Sequence, residues 1–133
     1  MLNLEIITPE KTVVKDEVDM LEATGAEGEF GIMPGHTQFL TTLGIGEIRY
    51  TKNGATTHIA SSAGLAEVVD DKVTILVDTA ESAKDIDIER AKKAMERAEA
   101  MLKSIPFDHT EYRMYELALL RAIARIGVAS KKL

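Results

Sequence analysis

Hydrophobic and polar residues alternate over short stretches in the first two thirds of the chain. Residues 17–24 (EVDMLEAT) form one such stretch, and the turn-forming pair Asn53-Gly54 joins two others, residues 47–52 and 56–62. A period of two residues indicates strands with one buried face. Short strands at a spacing of about 8–12 residues, with no helix between them, predict an antiparallel β-sandwich or barrel.

After Asp87 the hydrophobic residues recur every three or four positions, which is typical of amphipathic helices. Asp85 or Asp87 is suited to cap the first helix, and Pro106 ends it because a proline disfavours helical geometry in the residue before it. A second helix is predicted over about residues 110–130, with Thr110 as its cap. Two helices joined by a short connection predict an antiparallel hairpin.

Charge and glycine content change where the hydrophobic pattern changes. Residues 1–84 contain 6 Lys and Arg against 14 Asp and Glu, whereas residues 85–133 contain 10 against 8. Eight of the nine glycines lie before residue 65. The sequence therefore predicts a β + α fold of two domains, a β-sandwich in residues 1–84 and a helical hairpin in residues 85–133.

The predicted hairpin needs a surface to pack on. Most helix stability in proteins comes from burying an apolar face, and a pair of helices covers only one side of each member. The second surface is either the sandwich or a partner protein. If both surfaces are available, the hairpin is an element with two positions.

Composition excludes several classes of function. The 133 residues include no cysteine, which excludes disulfides, thiolate nucleophiles and Cys-ligated metals. The three histidines show no metal-ligand spacing, so no metal site is predicted, and the net charge of −6 argues against a nucleic-acid partner. No stretch approaches the roughly 18 apolar residues that cross a bilayer, and no signal-peptide pattern is present. We expect a reducing, cytosol-like compartment and no membrane span.

Catalytic motifs are missing as well. The sequence contains neither the phosphate-binding loop GxxxxGK[ST] nor the nucleophile motif GxSxG. His36 ends the conspicuous run GIMPGH, which we interpret as a tight turn whose histidine bonds to the backbone. His58 and His109 are interpreted as structural or solvated. No catalytic residue is predicted, and we expect a protein that is not an enzyme.

Four arginines in the helical region raise a binding hypothesis. Arg90 and Arg97 lie seven positions apart on the first predicted helix, and Arg121 and Arg125 lie four apart on the second. Like charges at a spacing of four repel by a few tenths of a kcal/mol. Composition alone favours a solvated basic face. The alternative is an anion site in which the four guanidinium groups converge on phosphates.

Short segments along the whole chain form an ordered set. They are residues 7–9 (ITP), 28–36 (GEFGIMPGH), 63–68 (AGLAEV), 73–76 (VTIL), 80–81 (AE), 85–91 (DIDIERA) and 116–122 (ELALLRA). In order and spacing this set resembles the epsilon subunits of bacterial F-type ATP synthases over essentially the full length. Met33 and Ala63 are mild departures, at positions where that family usually has Leu and Gly.

The resemblance implies a flattened sandwich of about ten strands followed by the hairpin. It implies a non-catalytic central-stalk (rotor) subunit of a proton-translocating synthase, peripheral at the cytoplasmic face of the bacterial plasma membrane, with its sandwich against the gamma subunit and the c-ring. The hairpin of this family extends toward the alpha and beta subunits and inhibits ATP hydrolysis. The residues implied for contact with an acidic segment of a beta subunit are Arg113, Arg121, Arg125, Lys131 and Lys132.

Some members of this family bind ATP through the motif I/L-D-x-x-R-A, which is complete here at residues 86–91 (IDIERA). The resemblance implies no catalytic cofactor but ATP as a regulatory ligand of the compact, non-inhibitory hairpin, and it leaves the need for magnesium open. The implied ATP-binding residues are Glu81, Ile86, Asp87, Arg90, Ala91, Arg97, Arg121 and Arg125. The arginines would neutralise the phosphates, while Asp87 and Glu81 would accept from the adenine amino group or the ribose, or would orient the arginines.

With this match the anion site is favoured over the solvated face. An alternative function from another class is a stand-alone ATP-binding sensor that uses the same arginines without a rotary partner. A small enzyme with a β-sandwich active site is a third possibility, which the absence of a visible nucleophile–base pair disfavours.

Overall fold

A computed structural model describes residues 1–131 of the chain. Lys132, one of the predicted partner-contact residues, therefore lies outside the described residues. The elements in chain order are β1 (Leu2–Ile7), β2 (Thr12–Val18), β3 (Met20–Gly25), β4 (Gly28–Ile32), β5 (Phe39–Lys52), β6 (Ala55–Ser61), β7 (Gly64–Val69), β8 (Lys72–Val77), β9 (Ala80–Ser82), a 3₁₀ turn (Ala83–Asp85), α1 (Ile88–Ser104) and α2 (Tyr112–Ala129). The strand-rich sandwich followed by a two-helix hairpin confirms the predicted fold class.

The strands form one continuous sheet in the order β2-β1-β8-β7-β5-β3-β4, from which β6 and β9 branch at β5. Neighbouring strands are antiparallel, as predicted, except that β1 and β8 are parallel. A sheet that branches in this way folds back on itself, so that its inner faces enclose a core.

Strand β5 explains why the described residues contain nine strands rather than about ten. Residues 39–43 and 47–52 are the two ends of one strand of 14 residues. The first end pairs with β7 and the second with β6. Gly46 lies between them, where a Cβ atom would come within 2.7 Å of the Thr24 hydroxyl oxygen. The missing side chain lets β5 pass close to β3 without ending.

The core of the sandwich comes from the alternating residues of its strands. Leu2, Leu4 and Ile6 of β1 are buried, and so are Val73 and Ile75 of the neighbouring β8. Each such side chain contributes about 1.5–3 kcal/mol relative to an exposed position. The two-residue period in the sequence therefore corresponds to one buried face, as predicted.

The start of α2 differs from the prediction. Thr110 is not its cap, because the helix begins at Tyr112 and Glu111 holds the capping position without a side-chain hydrogen bond. The backbone N–H of Glu111 instead donates to Nδ1 of His109 over 3.0 Å. The ring of His109 thus accepts from an amide at the helix entrance, and it has a structural role.

Helix α2 carries the hairpin on the sandwich. It lies against β5, β6, β9 and the 3₁₀ turn, while α1 packs on α2. A second apolar cluster fills this junction. Its buried members are Ala60, Ile86, Val128 and Ala129. The structure therefore shows the hairpin in a compact position against the sheet.

Candidate functional site

The motif IDIERA at residues 86–91 forms the entrance of α1. The carboxylate of Asp87 accepts from the backbone N–H of Arg90 over 3.1 Å, which confirms Asp87 as the cap of this helix. Ile86 is buried in the cluster between hairpin and sandwich. Ala91 is buried where α1 packs, and its small side chain suits a close approach between helices. Arg90 is exposed.

These residues line a cavity of about 150 Å³ between the hairpin and the edge of the sandwich. The cavity brings together six of the eight predicted site residues and adds Asp85. The six are Glu81, Ile86, Asp87, Arg90, Ala91 and Arg125. Strand β9, the entrance of α1 and the C-terminal half of α2 thus contribute to one site.

An ion pair forms part of the wall of this cavity. Arg125 of α2 donates from Nε to Oε1 of Glu81 on β9 over 2.7 Å, and the two residues are 44 positions apart in the chain. Their side chains are 37% and 34% exposed. At this exposure the pair is worth no more than about 1 kcal/mol, so it is a contact that a ligand is able to displace.

The structure places the other two arginines differently. Arg121 is exposed one turn before Arg125, and it lines a small neighbouring cleft together with Ser61, Ser62 and Thr79. Glu81 lines the same cleft. Arg97 lies two turns beyond Arg90 on α1, about 10 Å along the helix axis, and it is not among the residues that line the cavity.

The charges and size of the cavity limit what it holds in this arrangement. Three carboxylates, those of Glu81, Asp85 and Asp87, face two guanidinium groups, those of Arg90 and Arg125. Sites for drug-sized ligands typically have about 300–1,000 Å³, roughly two to seven times the volume of this cavity. A ligand of that size would therefore require the walls to move, and a phosphate that binds Arg125 would have to displace or share Glu81.

A second charged cluster lies at the far end of α2. Nζ of Lys131 donates to Oε2 of Glu47 on β5 over 2.6 Å, and Nδ1 of His58 lies 2.6 Å from Oε1 of the same carboxylate. Burial opposes ionisation of Glu47, but the hydrogen bonds and charges of Lys131 and His58 outweigh it and lower the pKa of this carboxyl. Sequence patterns do not predict this cluster, because Glu47, His58 and Lys131 are distant from one another in the chain.

The histidines have structural environments. Nδ1 of His36 contacts the carbonyl oxygen of Thr37 at 2.8 Å, which confirms the predicted backbone partner, and the turn before it contains Gly35 with a φ of 85°. His58 is paired with Glu47 in the cluster described above. Within residues 1–131 no group of three or more His, Asp or Glu side chains is placed to hold a metal ion.

Large apolar side chains are exposed on the sandwich. Leu65 of β7 and Leu76 of β8 are cross-strand partners and are 44% and 48% exposed. Met33 and Leu40 are even more exposed. Exposed apolar residues in neighbouring positions are typical of surfaces that other proteins cover.

No helix within residues 1–131 combines the length and the apolar character that crossing a bilayer requires.

Comparison with known proteins identifies relatives for both halves of the chain. Residues 1–83 match the family described as ATP synthase, Delta/Epsilon chain, beta-sandwich domain, and residues 84–130 match the corresponding long alpha-helix domain. The chain is 52% identical over 130 residues to the ATP synthase epsilon chains of Geotalea daltonii and Geobacter sulfurreducens, covering 98% of this chain and 94% of each relative. The epsilon chain of Nitratidesulfovibrio vulgaris is 49% identical over 127 residues, covering 96% of this chain and 94% of the relative.

Solved structures show the same arrangement. A chain of the Euglena gracilis mitochondrial ATP synthase, from a structure of OSCP, F1 and c-ring, superposes with a TM-score of 0.84 at 26% identity and covers 97% of this chain and 81% of its own. A chain from the central stalk and c-ring of the Tetrahymena thermophila mitochondrial ATP synthase gives a TM-score of 0.59 at 13% identity, covers 98% of this chain and 94% of its own, and supports the fold alone.

Proposed function

Because the chain belongs to the family of ATP synthase delta/epsilon chains, we propose that it is a non-catalytic rotor subunit of a proton-translocating bacterial synthase, with a hairpin that regulates ATP hydrolysis. The proposed regulation by the hairpin is supported by the weak junction between α2 and the sandwich. Fifteen buried apolar residues form the core of the sandwich, whereas four, two of them alanines, are buried at the junction in the described part of the chain. An arm held by so little apolar area undocks without unfolding the sandwich.

The sandwich is proposed to seat the subunit in the central stalk, at the cytoplasmic face of the plasma membrane. Its exposed apolar side chains Met33, Leu40, Leu65 and Leu76 support contact with the gamma subunit and the c-ring. The structural neighbours from ATP synthase complexes agree with this seat. A stand-alone sensor would not require an exposed apolar surface on its sandwich, so the rotor function is favoured.

The hairpin is proposed to reach the beta and alpha subunits when it leaves the sandwich. Arg113 and Arg121 are already exposed in the compact position, whereas Arg125 and Lys131 are paired with carboxylates of the sandwich. Undocking releases these two cations. The basic face of α2 would then meet an acidic segment of the beta subunit and hinder hydrolysis.

ATP is proposed to bind the compact hairpin at the cavity beside Arg90 and Arg125. The arginines would take the phosphates once Arg125 leaves Glu81, and Arg121 would join them. A ligand that binds only the compact form stabilises it by about 2.7 kcal/mol at a hundredfold excess over Kd. That shift is large enough to move a nearly balanced hairpin away from the inhibitory position.

The proposal is tested by assembling the full-length chain with a gamma subunit and the remaining subunits of the catalytic head. We expect co-purification with gamma and a lower rate of ATP hydrolysis than in the assembly without this chain. Co-purification without any change in the rate would contradict the inhibitory function. Failure to bind gamma, together with saturable ATP binding, would favour the stand-alone sensor.

A further inference from the structure

Contacts within the sandwich orient the Glu47 carboxylate so that it can bind a cation. Its side chain is 13% exposed, Oε1 lies 2.6 Å from Nδ1 of His58, and Nη1 of Arg49 approaches the same oxygen at 3.5 Å. All three residues belong to β5 and β6, so these contacts do not depend on the hairpin. The second oxygen, Oε2, points to the end of α2 and accepts from Lys131 over 2.6 Å.

The surroundings of Glu47 favour the binding of a cation. Arg49 is shared with Glu22 at 3.7 Å and Glu29 at 3.5 Å as well as with Glu47. Three carboxylates thus compete for one guanidinium group on this face of the sheet. The excess negative charge attracts a basic chain end, and partial burial of Glu47 reduces the screening of that attraction by water.

The packing of the last turn of α2 positions Lys131 beside Glu47. Val128 and Ala129 are buried in the apolar cluster of the junction, and the backbone N–H of Lys131 donates to the carbonyl oxygen of Val128 over 3.0 Å. The backbone of Lys131 is therefore already ordered when the hairpin docks. Only the side chain loses freedom when the ion pair forms, which keeps the entropic cost low.

We propose that the Glu47–Lys131 pair is a latch that holds the end of α2 on the sandwich, separately from the nucleotide cavity. The proposal rests on the proposed function in one respect, since it takes the hairpin to have two positions. Lys131 also belongs to the residues that would contact the beta subunit. The carboxylate of Glu47 therefore competes with the partner for the same cation, and it opposes inhibition even when the cavity holds no nucleotide.

The latch is tested on the isolated full-length chain, which has no cysteine of its own. Spin labels are attached to Glu10→Cys on the sandwich and to Asp108→Cys at the tip of the hairpin, both exposed, and the distances between them are measured by double electron–electron resonance. Glu47→Gln and Lys131→Met are each expected to raise the undocked-to-docked ratio about fivefold. The double variant is expected to raise the ratio little further, because both substitutions remove the same interaction.

A matched control is available within the sandwich. Asp16 and Lys52 form an ion pair at 2.7 Å that does not involve the hairpin, so Asp16→Asn is expected to leave the ratio unchanged. Unchanged ratios in Glu47→Gln and Lys131→Met would overturn the latch, as would fully additive effects in the double variant. Lys131 lies at an exposed end, so its variant keeps the test valid even if Glu47→Gln folds poorly.

Binding to gamma separates this proposal from the proposed function. Variants that bind gamma normally but show the wild-type ratio contradict the latch and leave the rotor function intact. A chain that fails to bind gamma while both latch variants shift the ratio contradicts the rotor function and supports the latch.

Discussion

Arg125 and Glu81 join the C-terminal half of α2 to the last strand of the sandwich through a hydrogen bond of 2.7 Å. The pair lies in the wall of the cavity where a nucleotide is proposed to bind. In this arrangement the guanidinium group is committed to a carboxylate, so a phosphate that binds it must displace or share Glu81. The contact that helps to hold the hairpin is therefore also the contact that a ligand would rearrange.

Replacement of Arg125 should affect ATP binding. Arg125→Gln removes a charge-assisted hydrogen bond of about 1.5–3 kcal/mol to a phosphate, so we expect ATP to bind roughly 10- to 100-fold more weakly in a calorimetric titration. Arg113→Gln is the matched control, because Arg113 is paired with Glu116 within α2 and does not line the cavity. Equal losses in both variants would show that the effect of Arg125 is merely general electrostatics.

Variants of Asp87 and Arg90 separate helix capping from ligand binding. Asp87→Ala should lower the free energy of unfolding of the hairpin by about 0.5–2 kcal/mol, because the cap to the Arg90 N–H is lost, whereas Asp87→Asn retains the cap. Arg90→Gln should weaken ATP binding without changing stability, since the Arg90 side chain is exposed and surface substitutions usually change the free energy of unfolding by less than about 0.5 kcal/mol. Stability is measured by urea unfolding and affinity by NMR titration. Unchanged affinity in Arg90→Gln and Asp87→Asn would mean that the motif is only a cap.

Two glycines should respond to alanine in opposite directions. At Gly127 in α2 an added Cβ meets nothing within 4 Å, and alanine favours a helix over glycine by up to about 1 kcal/mol. At Gly64 the added Cβ would lie 2.1 Å from the carbonyl oxygen of Leu76, so destabilisation of about 1–3 kcal/mol is expected. Hydrogen exchange should show stronger protection of α2 in Gly127→Ala. Weaker protection there would contradict the packing described for the compact hairpin.

Acid should loosen the end of the hairpin. The pKa of Glu47 is below its ordinary value of 4.5, although burial alone would raise it, because Lys131 and His58 bond to the carboxylate. A lowered pKa in the folded state stabilises that state fully above the unfolded pKa, and the stabilisation is lost as the pH falls through the folded value. The groups facing the carboxylate are Lys131, His58 and Arg49, with Glu22 and Glu29 behind Arg49.

The same labelled chain measures this effect. The undocked fraction of the wild type should rise below about pH 4.5, and Glu47→Gln should show a smaller rise because it has no carboxylate to protonate at this position. Identical acid responses in the two chains would assign the loosening to carboxylates other than Glu47.

Local patterns in the sequence predicted the helices and several strands correctly. The alternation around β3 and the signal of Asn53-Gly54 correspond to observed elements, and Asn53 and Gly54 adopt the positive φ angles of 52° and 81° that a tight hairpin turn requires. The short strand β9 was not predicted, because three residues between turns carry no period. The parallel pairing of β1 with β8 likewise depends on tertiary structure, since no local signal specifies it.

The candidate site was predictable where residues lie close in the chain and less so where they do not. The motif at residues 86–91 identified the entrance of α1. The predicted antiparallel hairpin brought the arginines of the second helix, including Arg125, near the first helix. The spacing of Arg90 and Arg97 placed both on one helix face, but two helical turns separate them, and the cavity takes only Arg90. The pair of Glu47 and Lys131 spans 84 positions, for which no spacing rule exists.

The label distance between Glu10→Cys and Asp108→Cys in the assembled complex, measured with and without ATP, shows whether the hairpin leaves the sandwich. We expect a compact distance at saturating ATP and a population with a clearly longer distance when ATP is removed. A single compact distance under both conditions, in a complex that still hydrolyses ATP, would contradict a hairpin that undocks to regulate the enzyme.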